Sequence, residues 1–336
     1  MDKDKLSNIA KKLVAPYKGI LAADESNPTI EKRFDSIDLE STENNRRDYR
    51  ELLFSTNGIE DYISGIILYE ETLYQKSFKG QLLSELLQSK DVIPGIKVDK
   101  SAKDFIGFPG EKITEGLDGL YDRMKNFHDD GARFSKWRAV ITIGDQIPSA
   151  QCIELNAVLL ARYAITSQEA GLVPIVEPEV LMDGDHSINS CYEVTNKTLN
   201  EVFNQLDKHK VNLSGILLKP NMILSGKESL NRADKNKVAE MTLKCFKDIV
   251  PENVPGIIFL SGGQSEIESI DNLDAINKLA KQTGDIPWEL SFSYGRGLQS
   301  STLNKWKGNS DNLLIAQKEF INRCKMVSEA RNGVLS

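Results

Sequence analysis

Short apolar and β-branched runs alternate with longer stretches of helical periodicity along most of the chain. Eight runs are read as strands: Gly19–Asp24, Ile63–Tyr69, Ile93–Val98, Phe134–Ile141, Leu172–Glu177, Ser214–Lys219, Gly256–Ser261 and Trp288–Ser293. Most are nearly continuous in apolar character, the pattern of strands covered on both faces in a parallel sheet. From the fourth run to the seventh the polar ends recur about every 40 residues, which is room for one strand, one helix and their loops. Helical spacing between them is carried by Leu155, Val158, Leu159, Arg162 and Tyr163, and again by Val238, Met241, Thr242, Cys245 and Ile249. Alternating β and α segments predict an α/β fold, and eight strands without a break in composition predict a closed (β/α)8 TIM barrel. No Pro/Gly/Ser-rich linker divides the chain, so residues 1–336 read as a single domain. The mixed-charge opening Met1–Leu13 predicts an extra helix before the first strand, and Asp311–Glu329 predicts one that closes the chain.

Composition narrows the partners. The 336 residues are 40% hydrophobic and 27% charged, as in an ordinary globular protein. A net charge of −7 and a pI of about 5.3 argue against nucleic acid or an acidic membrane as the main partner. With no apolar stretch of spanning length and no signal-peptide core, the expected compartment is the cytoplasm, a mature organellar form remaining open. Cys152, Cys191, Cys245 and Cys324 are widely spaced and form no CxxC, which fits reduced thiols. The three histidines, His128, His186 and His209, lack HExxH or HxH spacing, so no metal is expected. Asp183-Gly-Asp-His186 is better read as a hydrogen-bonded loop, His128 and His209 as solvated helix-end residues, and Trp137, Trp288 and Trp306 as core.

The polar ends of the runs carry the chemistry. In a barrel of this kind active-site groups gather at the C-terminal strand ends. Here those ends supply Asp24, Glu70, Lys97, Lys136 with Arg138, Glu177 with Glu179, Lys219, Ser261, and Ser293 followed by Arg296. A period of two sets Lys136 and Arg138 on one face, and Glu177 and Glu179 likewise. Lys219 ends the apolar run Ser214–Lys219 and is followed by Pro220, which stops the strand. An amine against apolar walls, with Lys97, Lys136 and Arg138 nearby, is expected to lose its charge readily and act as a nucleophile. Asp24, Glu177 and Glu179 then supply acids and bases. Ser261-Gly-Gly263 after the seventh run and Tyr294-Gly-Arg296-Gly after the eighth predict a phosphate cradle of backbone amides and one guanidinium. Ser26 and Thr29, with Lys97, are candidates for a second phosphate across the mouth.

These segments resemble one family. Gly19-Ile-Leu-Ala-Ala-Asp-Glu-Ser26, Thr42-Glu-Asn-Asn-Arg-Arg47, Pro94-Gly-Ile-Lys-Val-Asp99, Phe134-Ser-Lys-Trp-Arg138, Ile175-Val-Glu-Pro-Glu179, Leu217-Leu-Lys-Pro-Asn-Met222, Leu260-Ser-Gly-Gly-Gln264 and Ser291-Phe-Ser-Tyr-Gly-Arg296 are similar, in order, to class I fructose-1,6-bisphosphate aldolase. The resemblance implies a lyase without metal or cofactor that cleaves fructose 1,6-bisphosphate to dihydroxyacetone phosphate and glyceraldehyde 3-phosphate. It implies Lys219 as Schiff-base nucleophile, Glu177 as acid/base for carbinolamine dehydration, Asp24 in proton removal at the C4 hydroxyl, Lys136 assisting there and Glu179 orienting the network. Ser261, Gly262, Gly295 and Arg296 would bind the C1 phosphate, Ser26, Thr29 and Lys97 the C6 phosphate, with Arg33 and Arg138 as further substrate contacts. A homotetramer is implied in the same way. A related bisphosphate such as sedoheptulose 1,7-bisphosphate, or a catalytically silent barrel used as a scaffold, are the alternatives. Family members commonly carry a C-terminal arm finishing in tyrosine. No tyrosine follows Tyr294 here; either this branch lacks the arm or the chain has been shortened, and enamine protonation would then fall to Glu177 or water.

Overall fold

The computed structural model describes residues 2–335, and Met1 and Ser336 lie outside them. Helix α1 (Lys3–Leu13) precedes β1 (Gly19–Ala23), and α2 (Asn27–Asp35) and α3 (Glu43–Ser55) lead to β2 (Ile63–Leu68). Two short helices, α4 (Glu70–Tyr74) and α5 (Leu83–Gln88), precede β3 (Ile93–Lys97). A hairpin of β4 (Ala102–Asp104) and β5 (Lys112–Thr114) follows, then α6 (Leu120–Asp129) and β6 (Phe134–Ile141). The second half is regular: α7 (Ala150–Glu169), β7 (Val173–Val180), α8 (Ile188–Lys208), β8 (Leu217–Leu218), α9 (Lys235–Ile249), β9 (Gly256–Phe259), α10 (Glu266–Thr283), β10 (Glu289–Tyr294), α11 (Arg296–Trp306) and α12 (Leu313–Arg331). The long helices α7, α8, α9 and α10 each begin behind a Ser or Asp whose side chain accepts from amides of the first turn, which satisfies donors the helix cannot.

One strand from each expected run joins a closed barrel in the order β1-β10-β9-β8-β7-β6-β3-β2, and every pairing in it is parallel. Inner and outer faces follow the strand period. Ile20, Ala22, Ile67, Phe134, Val173, Ile175, Leu217 and Ile258 cluster with Leu6, Ala10, Leu13 and Val14, so the apolar face of α1 closes the N-terminal end of the barrel. Residues of the opposite strand parity, Leu21, Ile66, Trp137, Val176, Leu218 and Ile257, belong instead to the shell between strands and helices. Gly95 serves this packing, since a β-carbon there would lie 2.2 Å from the Phe134 ring. Strand β8 is short because Pro220 has no amide to donate. The Lys219 amide still donates to the Val176 carbonyl at 2.8 Å, which ties the lysine to the barrel.

The fold departs from the sequence pattern in three places. The stripe Leu155, Val158, Leu159 and Arg162 is not the core face of α7; Cys152, Asn156, Ala157, Leu160, Ala161 and Ala164 are buried, with Tyr163 the one member of the expected set among them. That helix is apolar on most sides, so spacing alone leaves its phase ambiguous, and small residues face inward where the helix approaches the sheet. The β4–β5 hairpin adds a pair of strands beyond the eight expected runs. It is short, and its signal is confined to Gly107-Phe-Pro-Gly110, with both glycines at positive φ. His128 and His209, expected in solvent, are half-buried, and His209 Nδ1 lies 2.8 Å from the Gln205 carbonyl oxygen.

Candidate active site

The barrel parity that fills the floor with apolar side chains also builds the site. Asp24 follows Ile20 and Ala22 at the same period, Lys136 and Arg138 follow Phe134, Glu177 and Glu179 follow Val173 and Ile175, and Lys219 follows Leu217. These side chains turn inward one or two layers above the floor, into a cleft of about 620 Å³ at the C-terminal strand ends. Lys219, Glu177, Asp24, Lys136, Glu179, Ser26, Thr29, Arg33, Lys97, Arg138, Ser261, Gly262, Gly295 and Arg296 line it. Glu70, also expected at a strand end, instead opens α4 with its side chain exposed and lies outside the cleft lining.

At the centre the charges alternate. Lys219 Nζ lies 3.2 Å from Glu177 Oε1, Glu177 Oε2 is 3.1 Å from Lys136 Nζ, and Lys136 Nζ is 2.9 Å from Asp24 Oδ2. All four side chains are largely withdrawn from water. Burial alone would push Asp24 upward; the ammonium groups of Lys136, Lys219 and Lys97 outweigh it and hold the carboxyl well below the usual range. Burial likewise opposes ionisation of Glu177, and Lys136, Lys219 and Arg138 overcome it and lower its pKa. Lys136 moves the other way: burial favours the neutral amine, but Asp24 and Glu177 keep it protonated and raise its pKa. The strand ends alone suggest like charges around Lys219; in the fold its nearest ionised neighbour is the carboxylate of Glu177. Glu179 pairs with the Arg138 guanidinium, whose pKa is raised by Glu179 and Glu177 against burial.

Two arrays of anion-binding groups flank this centre. On one side the loops after β9 and β10 touch. A β-carbon at Gly297 would lie 3.2 Å from Ser261 Oγ, and one at Gly262 would lie 2.7 Å from Glu179 Oε1. Gly262 and Gly297 therefore let two loops and the start of α11 converge, with Arg296 exposed at that helix N-terminus. On the other side of the ring Lys97 ends β3 and pairs with Asp99 at 3.4 Å. Ser26 immediately precedes α2 but its side chain caps no amide, and its hydroxyl lies 3.0 Å from Thr29 Oγ1 at the cleft wall. Asn27-Pro28 thus begins a helix. Arg33, further along α2, pairs with buried Glu25, which is also 2.6 Å from Arg50 Nη2.

Several lining groups carry little or no signal in the sequence. Glu25, Asp99, Ser101, Lys112 and Asp183 also face the cleft. Ser293 reads as a strand end without a role at the site; its hydroxyl is buried without a hydrogen-bond partner. Glu25 lies within the Asp-Glu-Ser26 stretch and Asp99 two residues after Lys97, so proximity is their one signal. Lys112 is hidden with its hairpin. Among the described residues no group of three or more His, Cys, Asp or Glu side chains converges as a metal site, and no helix is long and apolar enough to cross a membrane. The four cysteines are buried and unpaired, and burial pushes Cys152 and Cys191 up to about 11. The Asp183–His186 loop is hydrogen-bonded, as expected, to the segment after β8 through Gly226 N–H to the His186 carbonyl at 2.8 Å and Glu228 N–H to the Gly184 carbonyl at 3.0 Å.

Comparison with known proteins speaks to the whole chain. Residues 5–336 match the family model described as fructose-bisphosphate aldolase class-I. A probable fructose-bisphosphate aldolase class 1 from Xanthomonas campestris is 50% identical over 326 residues, covering 97% of this chain and 96% of its own. Fructose-bisphosphate aldolase 6, cytosolic, from Arabidopsis thaliana is 52% identical over 98% of this chain and 91% of its own. Among solved structures, the Plasmodium falciparum fructose-bisphosphate aldolase, crystallised with TRAP and a small-molecule inhibitor, superposes with a TM-score of 0.97 at 47% identity over 99% of this chain and 96% of that one. With the match running through every barrel strand and the lysine–carboxylate cleft at its mouth, this chain belongs to the class-I fructose-bisphosphate aldolase family.

Proposed function

We propose that the chain, as a single catalytic domain, cleaves fructose 1,6-bisphosphate reversibly to dihydroxyacetone phosphate and glyceraldehyde 3-phosphate through an imine at Lys219. The observation that carries this is the unbroken contact path from Lys219 through Glu177 and Lys136 to Asp24. Lys219, once its proton passes to Glu177, adds to the C2 carbonyl carbon. Glu177 returns a proton to the carbinolamine oxygen, water leaves, and an iminium forms. Asp24, held ionised by Lys136, accepts the C4 hydroxyl proton as the C3–C4 bond breaks. The bonding pair moves into the iminium and leaves a neutral enamine, so no free carbanion is formed. The aldehyde departs, C3 takes a proton, and hydrolysis frees the lysine. Glu179 and Arg138 brace the network from β7 and β6.

Phosphate recognition completes the reading. Ser261, Gly262, Gly295 and Arg296 hold the C1 phosphate, and Ser26, Thr29 and Lys97 the C6 phosphate, with Arg33 beside Gly295. The unpartnered hydroxyl of Ser293 is free for a substrate hydroxyl. Family resemblance supports a homotetramer, and the plant relatives named cytosolic support a cytoplasmic location.

Borohydride reduction in the presence of dihydroxyacetone phosphate, followed by peptide mapping, tests the assignment. The adduct is expected on Lys219. The Lys219→Met variant, which keeps the apolar stem, should lose both the adduct and at least about 10⁴-fold in kcat while unfolding at a similar temperature. An adduct on another lysine in that variant would sink the assignment.

A further inference from the structure

The cleft has one cation that neither the strand ends nor the proposed chemistry uses. Lys112 lies on β5 of the hairpin that connects β3 to β6, and so stands over the sector of Lys97 and Arg138. In the ring order this sector is across from β9 and β10, where the first phosphate cradle sits. Strand period sets its orientation. Ala102 pairs with Thr114 and Asp104 with Lys112, so these four share the hairpin face that carries Ala102 and Lys112 to the cleft wall.

The backbone beneath Lys112 is anchored to buried groups, while its side chain is held by an exposed partner. Glu111, buried beside it, accepts from Ser149 N–H and Ser149 Oγ, each at 2.6 Å. The Lys112 carbonyl accepts from Asn156 Nδ2 at 2.9 Å, and Thr114 Oγ1 donates to the Arg138 carbonyl at 2.7 Å. The Lys112 ammonium meets Asp104 at 2.6 Å, with the lysine side chain 44% exposed and the aspartate 83% exposed. Lys97 and Arg138, in contrast, pair with Asp99 and Glu179, both below 10% exposed. A buried carboxylate cannot readily give up its cation, whereas an exposed one is rehydrated by water. Of these three cations, Lys112 is the one an incoming dianion can take over at least cost.

We propose that Lys112 is a specificity residue for the distal phosphate of the substrate, the one remote from Ser261 and Arg296, and that Asp104 holds it until that phosphate arrives. This rests on the bisphosphate-cleaving reading above. It separates phosphorylated from unphosphorylated distal ends without touching the reacting carbons.

The test compares kcat/KM for fructose 1,6-bisphosphate and for fructose 1-phosphate, which lacks the distal group, in the full chain. Lys112→Met should lower the bisphosphate value about three- to tenfold, through KM, and leave the monophosphate value unchanged. Asp104→Asn, which frees the ammonium, should move the bisphosphate value upward. Lys103→Met, whose side chain lies on the other hairpin face, serves as control and should alter neither. Equal losses on both substrates, or no loss on the bisphosphate, would overturn the proposal while leaving Schiff-base cleavage standing. Failure of the unaltered chain to cleave the bisphosphate would remove the underlying reading and this inference together.

Discussion

Lys136 and Lys112 both line the cleft, and each meets an aspartate at hydrogen-bonding distance, 2.9 Å and 2.6 Å. By distance the second pair is the tighter. Solvent reverses the ranking. Lys136 and Asp24 are 5% and 13% exposed, and Lys112 and Asp104 are 44% and 83% exposed. In the first pair neither ion has water to return to, so geometry and protonation are fixed before substrate arrives. In the second, water replaces either partner, so the pair is labile. The centre therefore suits proton transfer, which needs charges in fixed places, and the rim suits exchange of one anion for another.

Of the two pairs, the larger effect follows from breaking the central one. Lys136→Met leaves Asp24 and Glu177 ionised and buried without the cation between them. Stability should fall by about 3–5 kcal/mol at neutral pH, and kcat by about 10²–10⁴-fold. The pH dependence has a definite sign. In the native chain both carboxyls are held below their ordinary values, so the stability they contribute is fully present above the unfolded carboxylate range and is lost as pH falls through their lowered values. In the variant the two groups lose the Lys136 ammonium but keep Lys219, with Lys97 acting on Asp24 and Arg138 on Glu177, so their pKa values rise from the lowered native ones toward the unfolded range. The stability deficit should then shrink as pH falls from roughly 5 toward 3, where the variant's carboxyls take up protons before the native ones do. Denaturant titrations across that range provide the check; a deficit that widens on acidification would show that Lys136 is not what keeps these carboxyls ionised.

The same contrast separates what is legible in the sequence from what is not. Lys219, Glu177, Lys136 and Asp24 sit at strand ends, where an ionisable residue interrupts an apolar run and the strand period states which face it takes. Their convergence follows from the barrel alone. Lys112 gives no such signal, because its hairpin is three residues a side and its orientation depends on anchors at Ser149 and Asn156, far along the sequence. The phase of α7 is illegible for a related reason, since apolar residues on most of its sides leave tertiary packing to choose the buried stripe. Glu25 is legible as a residue but not as a partner. That it lies between Arg33 and Arg50 is a property of α2 and α3 packing beside β1.

Arg296 sharpens the comparison from the rim. Its guanidinium is exposed at the N-terminus of α11, away from the Lys219–Glu177–Lys136 contacts. Arg296→Ala removes charge-assisted donors from the first phosphate and should raise KM for fructose 1,6-bisphosphate about 10- to 100-fold, with kcat changed less than about threefold. Arg296→Lys should recover part of the loss, because a point charge replaces a fork. An unchanged KM in the alanine variant would move the phosphate site away from the β9 and β10 loops.

The smallest effect is expected where an exposed pair has no ligand to serve. Lys227 pairs with Asp183 across the loops after β8 and β7, with side chains 46% and 59% exposed. It resembles Lys112–Asp104 in exposure, but Lys227 is not among the residues that line the cleft. The two loops are already joined by backbone hydrogen bonds, Lys227 N–H to the Met182 carbonyl at 2.8 Å and the two contacts from Gly226 and Glu228. The side-chain pair is therefore redundant for loop position and screened by water. Lys227→Ala should shift stability by no more than about 0.5 kcal/mol, or roughly 1–2 °C in Tm for a chain of this size. Gly226→Ala supplies the contrast at the adjacent residue. Its β-carbon would stand 2.2 Å from the Gly184 carbonyl oxygen, a backbone atom with no rotamer to escape to, so a loss of about 1–3 kcal/mol is expected. If Lys227→Ala proves the more damaging of the two, the ion pair rather than the backbone contacts holds these loops, and exposure is a poor guide to which charges matter at this rim.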